Sequence, residues 1–226
     1  MKKELSKTAE ILLCSLTVIA AVAFVFFRTP PAQAAQSVAA AVKDISSSEK
    51  KNEITELLGD GVFPVYEENG EYLFLPYDAS ERAYVAFAVS KAAGLDVKDY
   101  EDQPLGVSDA DKIPAEYLPY VKAAVLSGIM PVYTSDGGVF FYHDRNVSRD
   151  EAAYILAKLV TDAASSSKID GFSDKEEISD VFYSGVDKAV SLGIADGYSD
   201  GTFRPKSAIT HEELASWIYN LKQIKQ

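Results

Sequence analysis

The sequence predicts a mainly α-helical domain in which three repeats supply the three helices of a central bundle, preceded by an apolar N-terminal helix. Three observations predict it. An apolar-x-Asp pattern recurs, evenly spaced, at Val42-Lys43-Asp44, Val107-Ser108-Asp109 and Phe172-Ser173-Asp174. A helical stretch follows each time and ends in glycine plus an apolar residue, at Gly61-Val62, Gly128-Ile129 and Gly193-Ile194. Each repeat then closes on a capping signal ahead of a second amphipathic helix, and a short helix alone in water is marginal, so three apolar faces need one another.

Lys2, Lys3 and Lys7 precede an uncharged run from Ile11 to Phe27, which Arg28, Pro30-Pro31 and Ala32-Gln33-Ala34 terminate. Residues 1–35 therefore read as a secretory signal with an A-x-A cleavage site, or as an uncleaved membrane anchor through residues 11–27, because the run is long for a signal and short for a span. Either way the folded part is exported. The single cysteine, Cys14, lies inside that run, so the exported domain has no disulfide, thiolate metal site or cysteine nucleophile.

The first repeat, residues 36–105, opens on a partial tether from Gln36 to Asn52. It continues through Phe63-Pro64-Val65-Tyr66, Asn69-Gly70 and Tyr72-Leu73-Phe74 to Asp78 and Glu81, which can cap a helix from Ser80 to Ala93. Arg82 then sits one residue out of register with Arg149. In the second repeat, residues 106–168, Pro131-Val132-Tyr133, Asp136-Gly137 and Phe140-Phe141-Tyr142 lead to Val147-Ser148-Arg149-Asp150-Glu151, where Ser148 and Glu151 satisfy a capping box. The third repeat, residues 169–226, has the densest turn chemistry. Asp196-Gly197 and Asp200-Gly201 flank Tyr198, Phe203-Arg204-Pro205 is extended, and Thr210 with Glu213 caps a helix carrying Leu214, Trp217, Ile218 and Leu221 on one face. Gln103-Pro104-Leu105-Gly106 and Ser165-Ser166-Ser167 read as connectors.

The stretch from Phe172 to Glu213 resembles the S-layer homology family. Phe172-Ser173-Asp174, Gly193-Ile194, Gly197-Tyr198-Ser199-Asp200-Gly201-Thr202-Phe203-Arg204-Pro205 and Ile209-Thr210-His211-Glu212-Glu213 carry the likeness. His211 stands where the family usually has arginine, and Val181-Phe182 where it has tryptophan. The resemblance implies a pseudo-threefold spindle of three helix-loop prongs around the central bundle. It implies non-catalytic binding, in the grooves between prongs, of an anionic and often pyruvate-bearing secondary cell wall polysaccharide, by a monomer at the bacterial cell wall or surface.

On that resemblance Arg149 and Arg204 are the cationic candidates, with first-turn N–H groups of the helix adding donors. Ser148 and Thr210 offer caps or ligand bonds, Asp109 and Asp174 hold sugar hydroxyls, Gly197 and Gly201 allow close backbone approach, and His211 acts when protonated. Bland roles stand beside these: caps for Ser148 and Thr210, prong-helix caps for Asp109 and Asp174, an ion pair with Asp200 for Arg204, a surface position for His211.

Composition bounds the alternatives. A net charge of −12 on 226 residues disfavours nucleic acid as a partner. Asp196-x-Tyr198-x-Asp200-Gly201 departs from a calcium loop at its third and twelfth positions, and His143 and His211 have no metal-ligand spacing. No nucleophile elbow, phosphate-binding loop or dinucleotide fingerprint occurs, so no catalytic residue, metal or cofactor is expected. A second reading keeps the fold but lets the sugar sites decay into a structural or protein-interaction module held at the membrane.

Overall fold

The computed structural model describes residues 32–161 and 167–224. The signal or anchor reading of residues 1–31 and the Ser165-Ser166 half of the second connector lie outside them. Seven helices dominate: α1 (Ala32–Ala41), α2 (Lys51–Gly59), α3 (Arg82–Ala92), α4 (Leu118–Leu126), α5 (Arg149–Ala157), α6 (Asp180–Ser191) and α7 (His211–Ile224). Two short antiparallel hairpins, β1 (Tyr66–Glu68) with β2 (Glu71–Leu73) and β3 (Tyr133–Ser135) with β4 (Gly138–Phe140), complete the regular elements. Among the described residues no helix is long and apolar enough to cross a membrane.

Three equivalent aspartates organise the loops. Asp44 accepts from the backbone N–H groups of Phe74 and Leu75, Asp109 from Phe141 and Tyr142, and Asp174 from Phe203 and Arg204. In each pair the phenylalanine is fully buried, and the next residue takes a left-handed conformation, with φ of 59°, 55° and 54° at Leu75, Tyr142 and Arg204. Such a backbone costs a side-chain-bearing residue about 1–2 kcal/mol. Charge-assisted bonds to the carboxylate hold it there. Asp109 and Asp174 therefore fasten loops and make no side-chain cap bond to the short 3-10 turns that follow them, contrary to the expected capping role.

A ring of backbone hydrogen bonds closes the chain on itself. Ser80 N–H donates to Ile209 O (2.8 Å), Ile209 N–H to Val147 O (2.9 Å) and Val147 N–H to Ser80 O (2.9 Å). Just outside the ring, the first turn of each long helix donates to the loop of the following repeat. Arg82 and Ala83 reach the carbonyls of Arg145 and His143, Arg149 and Asp150 those of Ser207 and Pro205, and His211 and Glu212 those of Asp78 and Pro76. Donors that any helix N-terminus leaves unpaired are thereby satisfied within the fold. Side-chain packing follows the same order, α3 against α4, α5 against α6 and α7 against α2. Because α3 and α5 are covered on all sides, nearly every residue of both is buried. Trp217 is buried with Leu214, Ile218 and Leu221.

Four sequence expectations are corrected here. Arg82 is in register with Arg149: each lies eight residues after its anchored phenylalanine, Phe74 or Phe141, and opens its helix. The helix begins at Arg82 with Glu81 as N-cap, and neither Asp78 nor Glu81 makes the cap bond, because the neighbouring loop already supplies the acceptors. Ser148 and Glu151 form no capping box: Ser148 Oγ bonds Asp150, whose carboxylate takes the Glu151 N–H, and Glu151 turns to two arginines. Gln36–Asn52 is no tether, since α1 packs on α2 and Ala39, Val42 and Ile45 are core residues. Thr210 and Glu213 do exchange the reciprocal bonds of a capping box, at 3.3 and 3.0 Å.

Candidate functional site

The first turn of each long helix faces the loop of the next repeat, which creates three junctions of common design. In the first, Arg82 enters from α3 and is fully buried. Its Nε donates to Phe141 O, one Nη to Glu151 and the other to Pro131 O. The guanidinium lies over the rings of Tyr133 and Phe141, at 4.9 and 4.5 Å. In the second, Arg149 repeats this atom for atom, with Nε to Phe203 O (2.9 Å), Nη1 to Glu213 (2.8 Å) and Nη2 to Asp196 O (2.7 Å). Tyr198 and Trp217 flank it at 4.6 and 4.7 Å.

Each buried arginine is capped by a tyrosine, and each tyrosine by a second arginine on its outer side. Tyr133 donates to Glu151 (2.8 Å), and Arg145 lies over its ring at 4.8 Å while donating to Glu151 Oε2 (2.6 Å) and Tyr133 Oη (2.9 Å). Tyr198 donates to Glu213, and Arg204 lies over its ring at 3.8 Å while pairing with Asp200 (2.8 Å). The side chains of Arg145 and Arg204 are 41% and 47% exposed, so they are the cations that solvent and ligands can reach. They come from different sequence positions, four residues after Phe141 and one after Phe203.

The local charge pairing differs between the two. In the first junction two arginines share one carboxylate, Glu151, with Glu81 and Asp144 beside them. In the second, Glu213 and Asp200 balance Arg149 and Arg204. Hydrogen bonds from Thr202 and from Arg204 hold the Asp200 carboxyl down to about 2, so that pairing persists at any ordinary pH. Burial, together with the charge of Glu151, pushes the Tyr133 hydroxyl up to about 12, so it remains a neutral donor. Burial also works against the charge on Arg145, but Glu151 and Tyr133 outweigh it and its pKa is raised.

The third junction is of another kind. His211 replaces the buried arginine, and its Nδ1–H donates to Phe74 O at 3.0 Å, the carbonyl equivalent to Phe141 O and Phe203 O. Tyr84 replaces the glutamate and stacks on the imidazole at 3.9 Å between ring centres, with Tyr66 beyond it. Desolvation lowers the His211 pKa, so the ring is held neutral. Leu75 and Asp78 occupy the two positions from which Arg204 and Arg145 reach outward in the other junctions.

The expected site residues are thus dispersed. Arg149, Arg204, Thr210 and Gly197 meet at the second junction, with Asp174 beneath its loop. Asp109 serves the first junction and His211 the third. Arg149 is buried and engaged, and the first-turn N–H groups expected to bind an anion are already bonded to the neighbouring loop. Gly197 is needed for packing, because a Cβ would come within 2.2 Å of Phe172 and 2.6 Å of Thr202 O. Gly201 supplies a positive φ of 82° in its turn. Sequence reasoning missed Arg145, Glu151 and Tyr133. No sequence signal marks Arg145, since only the left-handed bend at Tyr142 brings it back over Tyr133.

A family model for the S-layer homology domain matches residues 108–153 and 171–215. Cell surface glycoprotein 1 of Acetivibrio thermocellus is 37% identical over 80 residues, which cover 34% of this chain but only 3% of that protein. Domains of this family are cell-surface anchoring modules that bind cell wall polymers. The two matched segments carry Asp109 with Arg149 and Asp174 with His211, the residues that fasten the loops and open the long helices, and residues 108–153 and 171–215 of this chain are S-layer homology domains.

Proposed function

We propose that this chain is an exported, non-catalytic module of the bacterial cell envelope that binds an anionic secondary cell wall polysaccharide at its first and second junctions. Residues 36–105, 106–168 and 169–226 form one pseudo-threefold spindle, the first repeat being the most divergent, and residues 1–35 serve as signal or anchor. The closed ring of hydrogen bonds among Ser80, Val147 and Ile209 supports the spindle and a monomer that completes its own symmetry.

One observation carries the binding reading. At two junctions an accessible arginine, Arg145 or Arg204, lies over the ring of a tyrosine that also covers a buried arginine. A sugar carboxylate, such as that of a pyruvyl group, can accept charge-assisted N–H bonds from the guanidinium donors that these contacts leave free, and the held geometry lowers the entropy lost on binding. At the first junction Arg145 shares its carboxylate, Glu151, with Arg82; at the second, the ligand must compete with Asp200 for Arg204. The third junction presents no arginine and acts as a closed seam. Arg149, Ser148, Asp109, Asp174, Gly197, Thr210 and His211 then shape or support the sites, and contact with the sugar passes to Arg145 and Arg204.

The test is co-sedimentation of the exported chain with purified walls, before and after chemical removal of the non-peptidoglycan polymer. Binding should disappear with the polymer, fall about tenfold or more in Arg145→Ala, and fall less in Arg204→Ala. Retention on stripped walls, or full binding by the double variant, would leave the structural or protein-interaction reading in its place.

A further inference from the structure

At the C-terminal end of α5, an open, shallow cavity of about 510 Å³ lies between α5 and α6. Tyr154, Ala157, Lys158 and Val160 line one side, Ser184, Gly185 and Lys188 the other, with Gly128 at its edge. We propose that it is a second carbohydrate site, taking a single sugar ring that carries a carboxylate, a uronate in chemical class.

The helices that form it cannot drift apart easily. Gly185 lies so close to α5 that a Cβ there would meet the Tyr154 Cα at 2.8 Å, and Phe182 packs on the Tyr154 ring at 5.2 Å. The cavity is therefore a preformed feature of the α5–α6 contact. Its size falls in the range of small-ligand pockets, roughly 300–1,000 Å³.

Two ammonium groups border it. Lys158 donates to Gly128 O at 2.9 Å and lies over the Tyr154 ring at 4.8 Å, and Lys188 donates to Val160 O. Each bond uses one of three N–H donors, so both heads keep donors for a ligand. Neither makes an ion pair among the described residues, and the heads of both are held at the cavity by the carbonyl bonds. The nearest acid in sequence, Asp187, is engaged by the Ser167 hydroxyl at 2.6 Å. Two ammonium groups thus border one cavity, each paired with a backbone carbonyl and with no carboxylate among the described residues. Two point charges suit a carboxylate, while the partly buried Tyr154 side chain, packed against Phe182 and under Lys158, gives a sugar an apolar wall. A bare inorganic anion would leave that wall wet.

The inference does not depend on the junctions binding anything. The test is a titration of the isotopically labelled full chain with D-glucuronate, D-glucose and inorganic phosphate, following the amides of Gly128 and Gly185 and the Tyr154 ring by NMR. Repeating it in Arg145→Gln/Arg204→Gln removes any contribution from the junctions. Glucuronate should saturate these signals in both chains, with glucose and phosphate each about tenfold weaker or more. Lys158→Gln/Lys188→Gln should weaken glucuronate by at least about tenfold, and Lys158→Arg/Lys188→Arg, which keeps the charge and the carbonyl bonds, should restore it. Absence of saturation, an unchanged affinity in the glutamine variant, or equal affinity for phosphate would each overturn the proposal.

Discussion

Replacing Arg149 by alanine should unfold the domain more readily, and any loss of wall binding should follow from that. The side chain is 2% exposed and donates to the carbonyls of Phe203 and Asp196 and to Glu213. Truncation leaves Phe203 O, Asp196 O and the carboxylate facing a void beside Trp217. Removing one member of a buried ion pair costs up to about 3–5 kcal/mol, and Glu213, 21% exposed, is left mostly shielded from water. For a chain of this size each kcal/mol shifts the melting point by about 2–4 °C, so a fall of up to about 6–20 °C is expected. Arg204→Ala, by contrast, removes a half-exposed cation and should move the melting point by no more than about 2 °C. Thermal unfolding followed by circular dichroism, beside wall co-sedimentation at a temperature where both variants are folded, separates the two roles. An Arg149→Ala protein that melted like the parent yet lost wall binding would refute the buried, structural assignment and return Arg149 to the ligand.

Three further outcomes follow from the same geometry. His211→Arg alone should destabilise by about 3 kcal/mol or more, because Tyr84 offers no carboxylate, and adding Tyr84→Glu should recover most of that loss; a double variant no more stable than the single would show that the three junctions are not equivalent. Burial depresses the His211 pKa despite the nearby carboxylates of Asp78 and Asp44, so the folded state favours the neutral ring. Its stabilisation is complete above the unfolded value of about 6.5 and is lost as pH falls from there through the folded pKa, at up to about 1.4 kcal/mol per pH unit. Urea unfolding at pH 7.5 and 5.5 should show this loss in the parent and not in His211→Gln. Ser80 Oγ is buried on the ring without a hydrogen-bond partner, where the equivalent residues are Val147 and Ile209, so Ser80→Val should stabilise by about 1 kcal/mol; a loss in denaturant midpoint would mean that the hydroxyl has an unseen partner.

Much of the architecture was legible because its signals are local. The even spacing of Asp44, Asp109 and Asp174 and the glycines that end α2, α4 and α6 each report a backbone requirement that one residue type satisfies. Thr210 with Glu213 was legible for the same reason, since both partners of a capping box lie within one helical turn. The box inferred at Ser148 and Glu151 failed because its two residues had stronger long-range partners. Asp150 bonds Ser148, Ser179 and Lys206, and Glu151 bonds Arg82 and Arg145.

What the sequence determined by itself, then, is the helical class and the even spacing of Asp44, Asp109 and Asp174, but not that these aspartates fasten loops about 30 residues away. Only the tertiary structure decided which arginines are buried and which are offered to solvent. Arg82 and Arg149 look like surface residues at a helix start, yet the next repeat folds over them and supplies carbonyls, a glutamate and a tyrosine from 47 to 69 residues away. Arg145 has no counterpart in the motif but reaches the same outer face as Arg204, because a left-handed residue reverses the loop at Tyr142. Burial and charge pairing arise between repeats, and that pairing is set by how the ring closes.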